Sequence, residues 1–364
     1  MQVSELLVAQ SGQHEKKRDS NFELFRIFLM LMIIGHHYVV NSGLTGLYDF
    51  HNITFNMVFL QLFGWGGKTG INCFLLITGY FMCKQSFNKI KLVKLLLEIL
   101  FYDLLIYMIF VLVGYESFSI KCFLLTLFNI MREMNVGFTG GFIALYLMIP
   151  FLNILISNLD QRKHKKMVLL LILIYTISSS FFFSNSWGYL GWYITIYLIG
   201  SYIRLYPKVK CYKKYTYIFT SFILLVISWS SIIAIDYIGP KIGYTNYYFF
   251  VADSNKILAL LCSISFFMMF KNINVRYNQI INTLGKSTFG VYLIHTSSDI
   301  MRQFLWSDIF NNKNFYNSPY LILHAISCVI CVYIICVSID LLRINFVAKP
   351  LYKYINSKYK KRLK

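Results

Sequence analysis

The sequence predicts an all-α, polytopic membrane protein of about ten transmembrane helices, with both termini in the cytoplasm. Three observations carry that prediction. Only 14% of the residues are charged and 57% are hydrophobic, whereas a soluble domain carries about 25% charged residues. Apolar runs of roughly twenty residues, long enough to cross a bilayer, recur from end to end. The net charge of +20 is sorted by loop. With the N-terminus inside, segments 16–18, 84–94, 162–166, 204–214, 271–286 and 343–364 hold 27 of the 35 Lys and Arg. The outer half holds the 7 residues Lys68, Lys121, Arg132, Lys241, Lys256, Arg302 and Lys313, and Arg26 lies inside the first helix. That asymmetry sets the orientation of a membrane protein. It also accounts for a charge that in a soluble protein would point to nucleic acid, so no nucleic-acid partner is expected.

Residues 1–20 are polar, end in Lys16-Lys17-Arg18, and are expected to form a disordered cytoplasmic segment. No signal peptide is expected, because the apolar run that follows is long enough to span. Residues 21–342 form one transmembrane domain, with helices expected at 22–41, 62–83, 91–113, 138–156, 167–185, 188–204, 215–236, 250–270, 287–306 and 319–341. The second is interrupted: Gly64, Gly66, Gly67, Lys68 and Gly70 separate two apolar stretches. A broken or re-entrant segment there must be buried in protein or face water. Residues 343–364 read as a basic cytoplasmic tail, with Tyr352, Tyr354 and Tyr359 interleaved, lying on anionic headgroups. Cys328 and Cys331 form a CxxC one turn after His324. A zinc site needs four ligands and no second pair exists, so these read as packing and no metal is expected.

The predicted loops are too short for a separate catalytic domain, so the chemistry must sit among the helices. There an ionisable residue is costly and is a functional candidate by default. The first helix is the richest. Arg26 and His37 are eleven residues apart, three turns plus about 20°, so they share one face roughly 16 Å apart, while His36 points about 80° away. Arg26 could also snorkel to the headgroups, and His37 could be interhelical glue. In the ninth helix His295, Asp299 and Arg302 follow i, i+4, i+7 and are expected on one face. Asp299 could simply pair with a neighbour. In the third helix Glu98 and Asp103 could each orient a histidine or pair with a lysine. Gly67-Lys68-Thr69 mimics the end of a phosphate-binding loop, but the position five before Gly67 is Leu62, so it is rejected.

Arg26, ten intervening residues and His37, preceded by Asn21-Phe22-Glu23-Leu24, resemble the acyltransferase-3 family of bacterial membrane O-acyltransferases. Further segments match in order: Gly70-Ile71-Asn72-Cys73-Phe74 to Thr78-Gly79-Tyr80-Phe81, Leu145-Tyr146-Leu147 to Pro150-Phe151-Leu152-Asn153, Trp192-Tyr193 to Arg204, and Phe289 to His295. The stretch from Trp192 to Arg204 is similar to the branch acting on capsule and exopolysaccharide. One position departs: Gly140-Gly141-Phe142 opens the fourth helix where the family pattern leads one to expect Trp. That bears on acceptor specificity more than on the reaction.

The resemblance implies a multi-pass enzyme of the bacterial plasma membrane. It would transfer an acyl group, acetyl by expectation, from cytosolic acyl-CoA to a hydroxyl of a cell-surface polysaccharide or its lipid-linked precursor. No permanently bound cofactor is implied; acetyl-CoA or another acyl-CoA is the donor substrate. The expected partners are the bilayer, the donor and the glycan, with a homodimer left open. Arg26 would hold a CoA phosphate through charge-assisted bonds. His37 would act as general base or as nucleophile, with Glu23 and Asp103 completing the catalytic set. His36, Asn72, Tyr80, Trp192, Tyr193, His295 and Asp299 are the expected substrate-binding residues, the aromatic ones as a platform for sugar rings. The rival readings are a non-catalytic polysaccharide exporter, which would more often show an internal repeat, and a subunit of a polysaccharide synthase complex. No repeat is visible in the sequence.

Overall fold

The computed structural model describes residues 19–134, 137–181, 188–207 and 214–353. The N-terminal segment 1–18 and the tail residues from Tyr354 onward, which include Tyr359, lie outside them. Among the described residues the chain is helical, with no strand. Six helical stretches are long and apolar enough to cross a membrane: Ser20–Val40, Lys89–Leu112, Phe138–Ser157, Gln161–Phe181, Lys214–Ile242 and Leu321–Lys353. Their outward faces are apolar. Phe219, Phe222 and Ile227 on Lys214–Ile242, and Leu323, Ile334 and Ile335 on Leu321–Lys353, are all exposed. A lipid solvent leaves such faces at no cost, while every backbone polar group is satisfied within its helix.

Helix α1 (Ser20–Val40) is the axis of the bundle. Helices α2 (Phe55–Gly64) and α3 (Gly67–Met82) pack on it directly. The expected interruption is therefore present as a two-residue break at Trp65-Gly66, with the glycines at the crossing. Gly67 lies under the ring of His36, where any Cβ would overlap the imidazole. The break also exposes the carbonyl of Gly64 at the end of α2, and His36 Nδ1 takes it up at 2.6 Å.

Helix α4 (Lys89–Leu112) leads into two short helices, α5 (Ile120–Leu127) and α6 (Asn129–Glu133), where the sequence suggested only a loop. Next come α7 (Phe138–Ser157), α8 (Gln161–Ile172, continuing through a π turn to Phe181) and α9 (Tyr189–Leu205). The expected start of α8 at residue 167 is six residues late: the side chain of Asp160 caps Lys163 N at 2.7 Å, so the basic run 162–166 is helical. Helices α3 and α9 cross at Gly79 and Gly200. A Cβ on Gly79 would strike the carbonyl of Tyr197, and one on Gly200 that of Leu76. Small residues at such a crossing let two backbones touch in a lipid environment, where dispersion replaces the hydrophobic effect as the main attraction.

Helix α10 (Lys214–Ile238) pairs with α11 (Ile257–Asn272), and α12 (Gln279–Lys286) runs into α13 (Thr288–Thr296). The single helix expected over 287–306 does not form. It stops at Ser297, Ser298 turns extended (φ −154°, ψ 167°), and its hydroxyl caps Met301 N to start α14 (Asp299–Gln303). The i, i+4, i+7 face proposed for His295, Asp299 and Arg302 is thereby lost, because a serine that satisfies a new helix start ends the old one.

The last helix, α15 (Leu321–Arg343), returns to pack against α1 and α13. Arg343, expected in the basic tail, instead closes this helix and is buried. Its guanidinium holds Asp340 Oδ1 at 2.8 Å and Glu98 Oε1 of α4 at 2.8 Å, and Tyr102 donates to the same Asp340 oxygen at 2.7 Å. His324 donates from Nε2 to the Phe310 carbonyl at 3.0 Å and accepts from Tyr38 at Nδ1 at 2.8 Å, so both its ring nitrogens serve the fold. Cys328 is buried 3.4 Å from that ring, while Cys331 is exposed.

Candidate functional site

A cavity of about 280 Å³ opens between α1, α3, α4, α6, α7 and α13, with His36 and His37 in its wall. Asp103 of α4, Asn129 and Glu133 of α6, Tyr193 of α9 and Arg302 of α14 also face it. Asn129 donates to Asp103 Oδ2 at 3.3 Å. Lys68 lines the wall as well, 3.7 Å from Asp253 and over the ring of Tyr189. A vestibule of about 390 Å³ shares Asp103, Asn129, Glu133, Ser297 and Arg302 with the cavity and adds Glu116, Arg132 and Asp299. Asp299 is thus at the vestibule and not in the cavity, almost fully exposed and paired with Arg302 at 2.6 Å.

At the cavity wall His37 meets a buried imidazole from the far end of the chain, His295, which does not itself line the cavity. His37 Nδ1 lies 3.1 Å from His295 Nε2. His295 is fully buried, and its Nδ1 sits 2.6 Å from the Val291 carbonyl one turn earlier in α13. A carbonyl only accepts, so His295 carries its proton on Nδ1 and, when neutral, presents a lone pair at Nε2. His37 must then donate from Nδ1, which leaves a lone pair on its own Nε2. That nitrogen makes no hydrogen bond among the described residues. A second group that fixes the tautomer and direction of a basic imidazole is the arrangement used for proton abstraction or nucleophilic attack.

Arg26 lies at the other end of α1, lining a second pocket of about 280 Å³ with Glu98, Lys286, Phe142 and Phe289. It pairs with Glu23 at 3.2 Å. Glu23 is buried there and is fourteen residues from His37, about 21 Å along the helix, so it serves Arg26 and does not reach the imidazole pair.

The expected sugar platform is taken apart. Tyr80 packs on Phe22 at the Arg26 end, and Arg204 donates to its hydroxyl at 2.8 Å. Trp192 is buried and donates from Nε1 to Asn72 Oδ1 at 2.9 Å, while Asn72 Nδ2 is bound to the Ser254 carbonyl at 2.6 Å. Asn72 and Trp192 thus satisfy each other and hold α3, α9 and the segment before α11 together. Only Tyr193 of the three aromatic residues reaches the cavity. His36 does reach it, so the 80° turn away from Arg26 does not remove it from the wall.

A family model described as an acyltransferase domain matches residues 19–342, from the start of α1 to the end of α15. The chain belongs to the acyltransferase-3 family. Neither the curated proteins nor the solved structures gave a match. The matched span takes in both the imidazole cavity and the Arg26 pocket, and the acyltransferase carries them inside its membrane helices.

Several groups in this acyltransferase were not singled out from the sequence as site residues. Asn129 and Glu133 arrive on α6, in a stretch with no helical signal strong enough to set it apart. Tyr292 and Phe138 reach the cavity from apolar helices, where an aromatic residue reads as packing. Lys68 belongs to the segment that resembled a phosphate loop. The charge of Lys68 inside an apolar stretch was the signal available, since a cation there needs a partner or a cavity.

Proposed function

We propose that this membrane acyltransferase moves an acetyl group from cytosolic acetyl-CoA to a hydroxyl of a cell-surface polysaccharide or its lipid-linked precursor, in the plasma membrane of a bacterium. The observation that carries the proposal is the hydrogen-bond chain Val291–His295–His37, which leaves a basic nitrogen in a cavity open to polar side chains. The Arg26 pocket supports a donor site. Two cations, Arg26 and Lys286, stand at its mouth for phosphate groups, and Phe142, Phe289 and Leu95 offer apolar walls for the pantetheine arm. The vestibule supports an acceptor site, because four carboxylates, the Asn129 amide and two arginines line it and can bond to sugar hydroxyls.

In this mechanism the acceptor hydroxyl gives its proton to His37 Nε2 as its oxygen attacks the thioester carbonyl. The carbon–sulfur bond breaks, an oxygen ester forms, and the proton passes from His37 to the departing CoA thiolate. His295 holds the His37 ring and the positive charge it gains. The topology goes with this division. In this reading the broken pair α2–α3, α9, α11 and the α12–α13 unit cross beside the six long helices, which gives the ten crossings proposed. Both termini and the Arg26 pocket then face the cytoplasm and the vestibule faces outward, as the loop charges require. The test is the acetyl content, by NMR, of the cell's polysaccharide with and without the gene. An unchanged spectrum refutes the proposal.

A further inference from the structure

The donor pocket and the imidazole cavity are lined by different residues, with three exceptions. Ile33, Phe138 and Tyr292 belong to both walls. They come from three helices. Ile33 lies one turn before His37 on α1, Tyr292 lies one turn before His295 on α13, and Phe138 is the first residue of α7. The rings of Phe138 and Tyr292 meet edge to face with centroids 5.0 Å apart, and Tyr292 in turn sits 6.0 Å from the His295 ring. Phe138 also touches Tyr193 and Phe142, so it is braced from both chambers. The partition is a single layer of side chains, and Phe138 and Tyr292 keep part of their surface accessible where cavities meet them on either side.

We infer that Ile33, Phe138 and Tyr292 form the constriction that selects the acyl group by length. The inference rests on the proposed donor and transfer sites. Arg26 and His37 are separated by about 16 Å of helix, and a thioester held by its phosphates at Arg26 must bring its carbonyl up to this partition to meet His37, with the acyl chain lying against Ile33, Phe138 and Tyr292. The partition is apolar apart from the tyrosine hydroxyl, so it discriminates by volume and not by hydrogen bonding. In such a passage one extra methylene changes kcat/KM by about 10- to 200-fold. The partition seats an acetyl group, and each further carbon must displace Phe138 or Ile33. Phe138 is the adjustable member, because Ile33 and Tyr292 are each fixed one turn from a histidine of the catalytic pair.

The experiment uses membranes of the source cells that carry the full-length protein and their own glycan. They are supplied in turn with acetyl-, propionyl- and butyryl-CoA. Ester formed on the polysaccharide is measured by mass spectrometry and normalised to protein abundance. The quantity read is the ratio of kcat/KM for butyryl to that for acetyl. Phe138→Ala should raise this ratio at least tenfold. Phe138→Leu and Ile33→Val, which disturb packing less, should raise it in the same direction by a smaller factor. Phe74→Leu, at a donor-pocket residue that lines neither the partition nor the imidazole cavity, should leave the ratio within about twofold of wild type. An unchanged ratio in the folded Phe138 and Ile33 variants, or an equal rise in Phe74→Leu, overturns the constriction while the acyl-transfer reading stands. A wild-type protein that esterifies the glycan with none of the three donors overturns both.

Discussion

His36 and His37 are chain neighbours that commit their Nδ1 atoms to different partners. His36 meets the carbonyl of Gly64 at 2.6 Å, and His37 meets a second imidazole, His295, at 3.1 Å. One is tied to backbone at the broken helix, and the other to a group that can share a charge. Two residues of the same type and depth are thereby made unequal.

The inequality predicts different outcomes for the same substitution. His37→Ala should lower polysaccharide acylation by about 10² to 10⁴, the loss expected for a general base. His36→Ala should keep measurable activity, since its ring braces Gly64 and Gly67. Acetyl per milligram of polysaccharide, corrected for the protein in the membrane, decides the matter. Acylation that persists in His37→Ala and vanishes in His36→Ala would reverse the assignment.

His295 is expected to act through His37. His295→Gln places a carbonyl oxygen where Nε2 accepted a hydrogen bond, so it should preserve the His37 tautomer and a substantial part of kcat. His295→Leu removes the acceptor and should lower kcat by about 10² or more with little change in the KM for acyl-CoA. Equal losses in the two variants would mean that His295 is needed only for packing.

Arg26 should be felt in donor binding. Arg26→Lys retains the charge but loses the planar fork that can grip a phosphate with two bonds. The KM for acetyl-CoA should rise about tenfold while kcat is held within a few-fold. Steady-state kinetics at saturating acceptor measure the split. A variant with wild-type KM would show that the side chain serves only to reach the headgroups.

The loop charges give the orientation a direct check. A reporter fused at Lys163 or Lys360 should be active in the cytoplasm, and one inserted at Asp49 or Asp308 should be active outside. A C-terminal fusion active outside would break the count of ten crossings.

The face shared by Arg26 and His37 was legible because a helix with no interruption obeys its own period over three turns. The same arithmetic failed for Asp299 and Arg302, where Ser298 begins a new helix. It had no way to find Glu133 or Asn129, whose positions are set by how α6 packs against α7. Asn72 and Trp192 misled for a different reason. A polar side chain at membrane depth must be satisfied, and these two satisfy each other. Arg343 was misplaced because its partners, Glu98 and Asp340, lie on two different helices, one of them far away in sequence.

The clasp between Arg343, Asp340, Glu98 and Tyr102 also sets the order of assembly. Glu98 leaves the ribosome about 245 residues before the arginine that neutralises it. Until then α4 carries an unmatched acid that lipid tolerates poorly. His37 waits still longer in sequence terms for its own partner, 258 residues downstream. A nascent chain therefore cannot close its reaction centre helix by helix. The last span must slot in beside α4 before the acid is settled, and α13 beside α1 before the imidazole is, and premature stop codons even late in α15 should yield a protein that is cleared by quality control instead of one that is partly active.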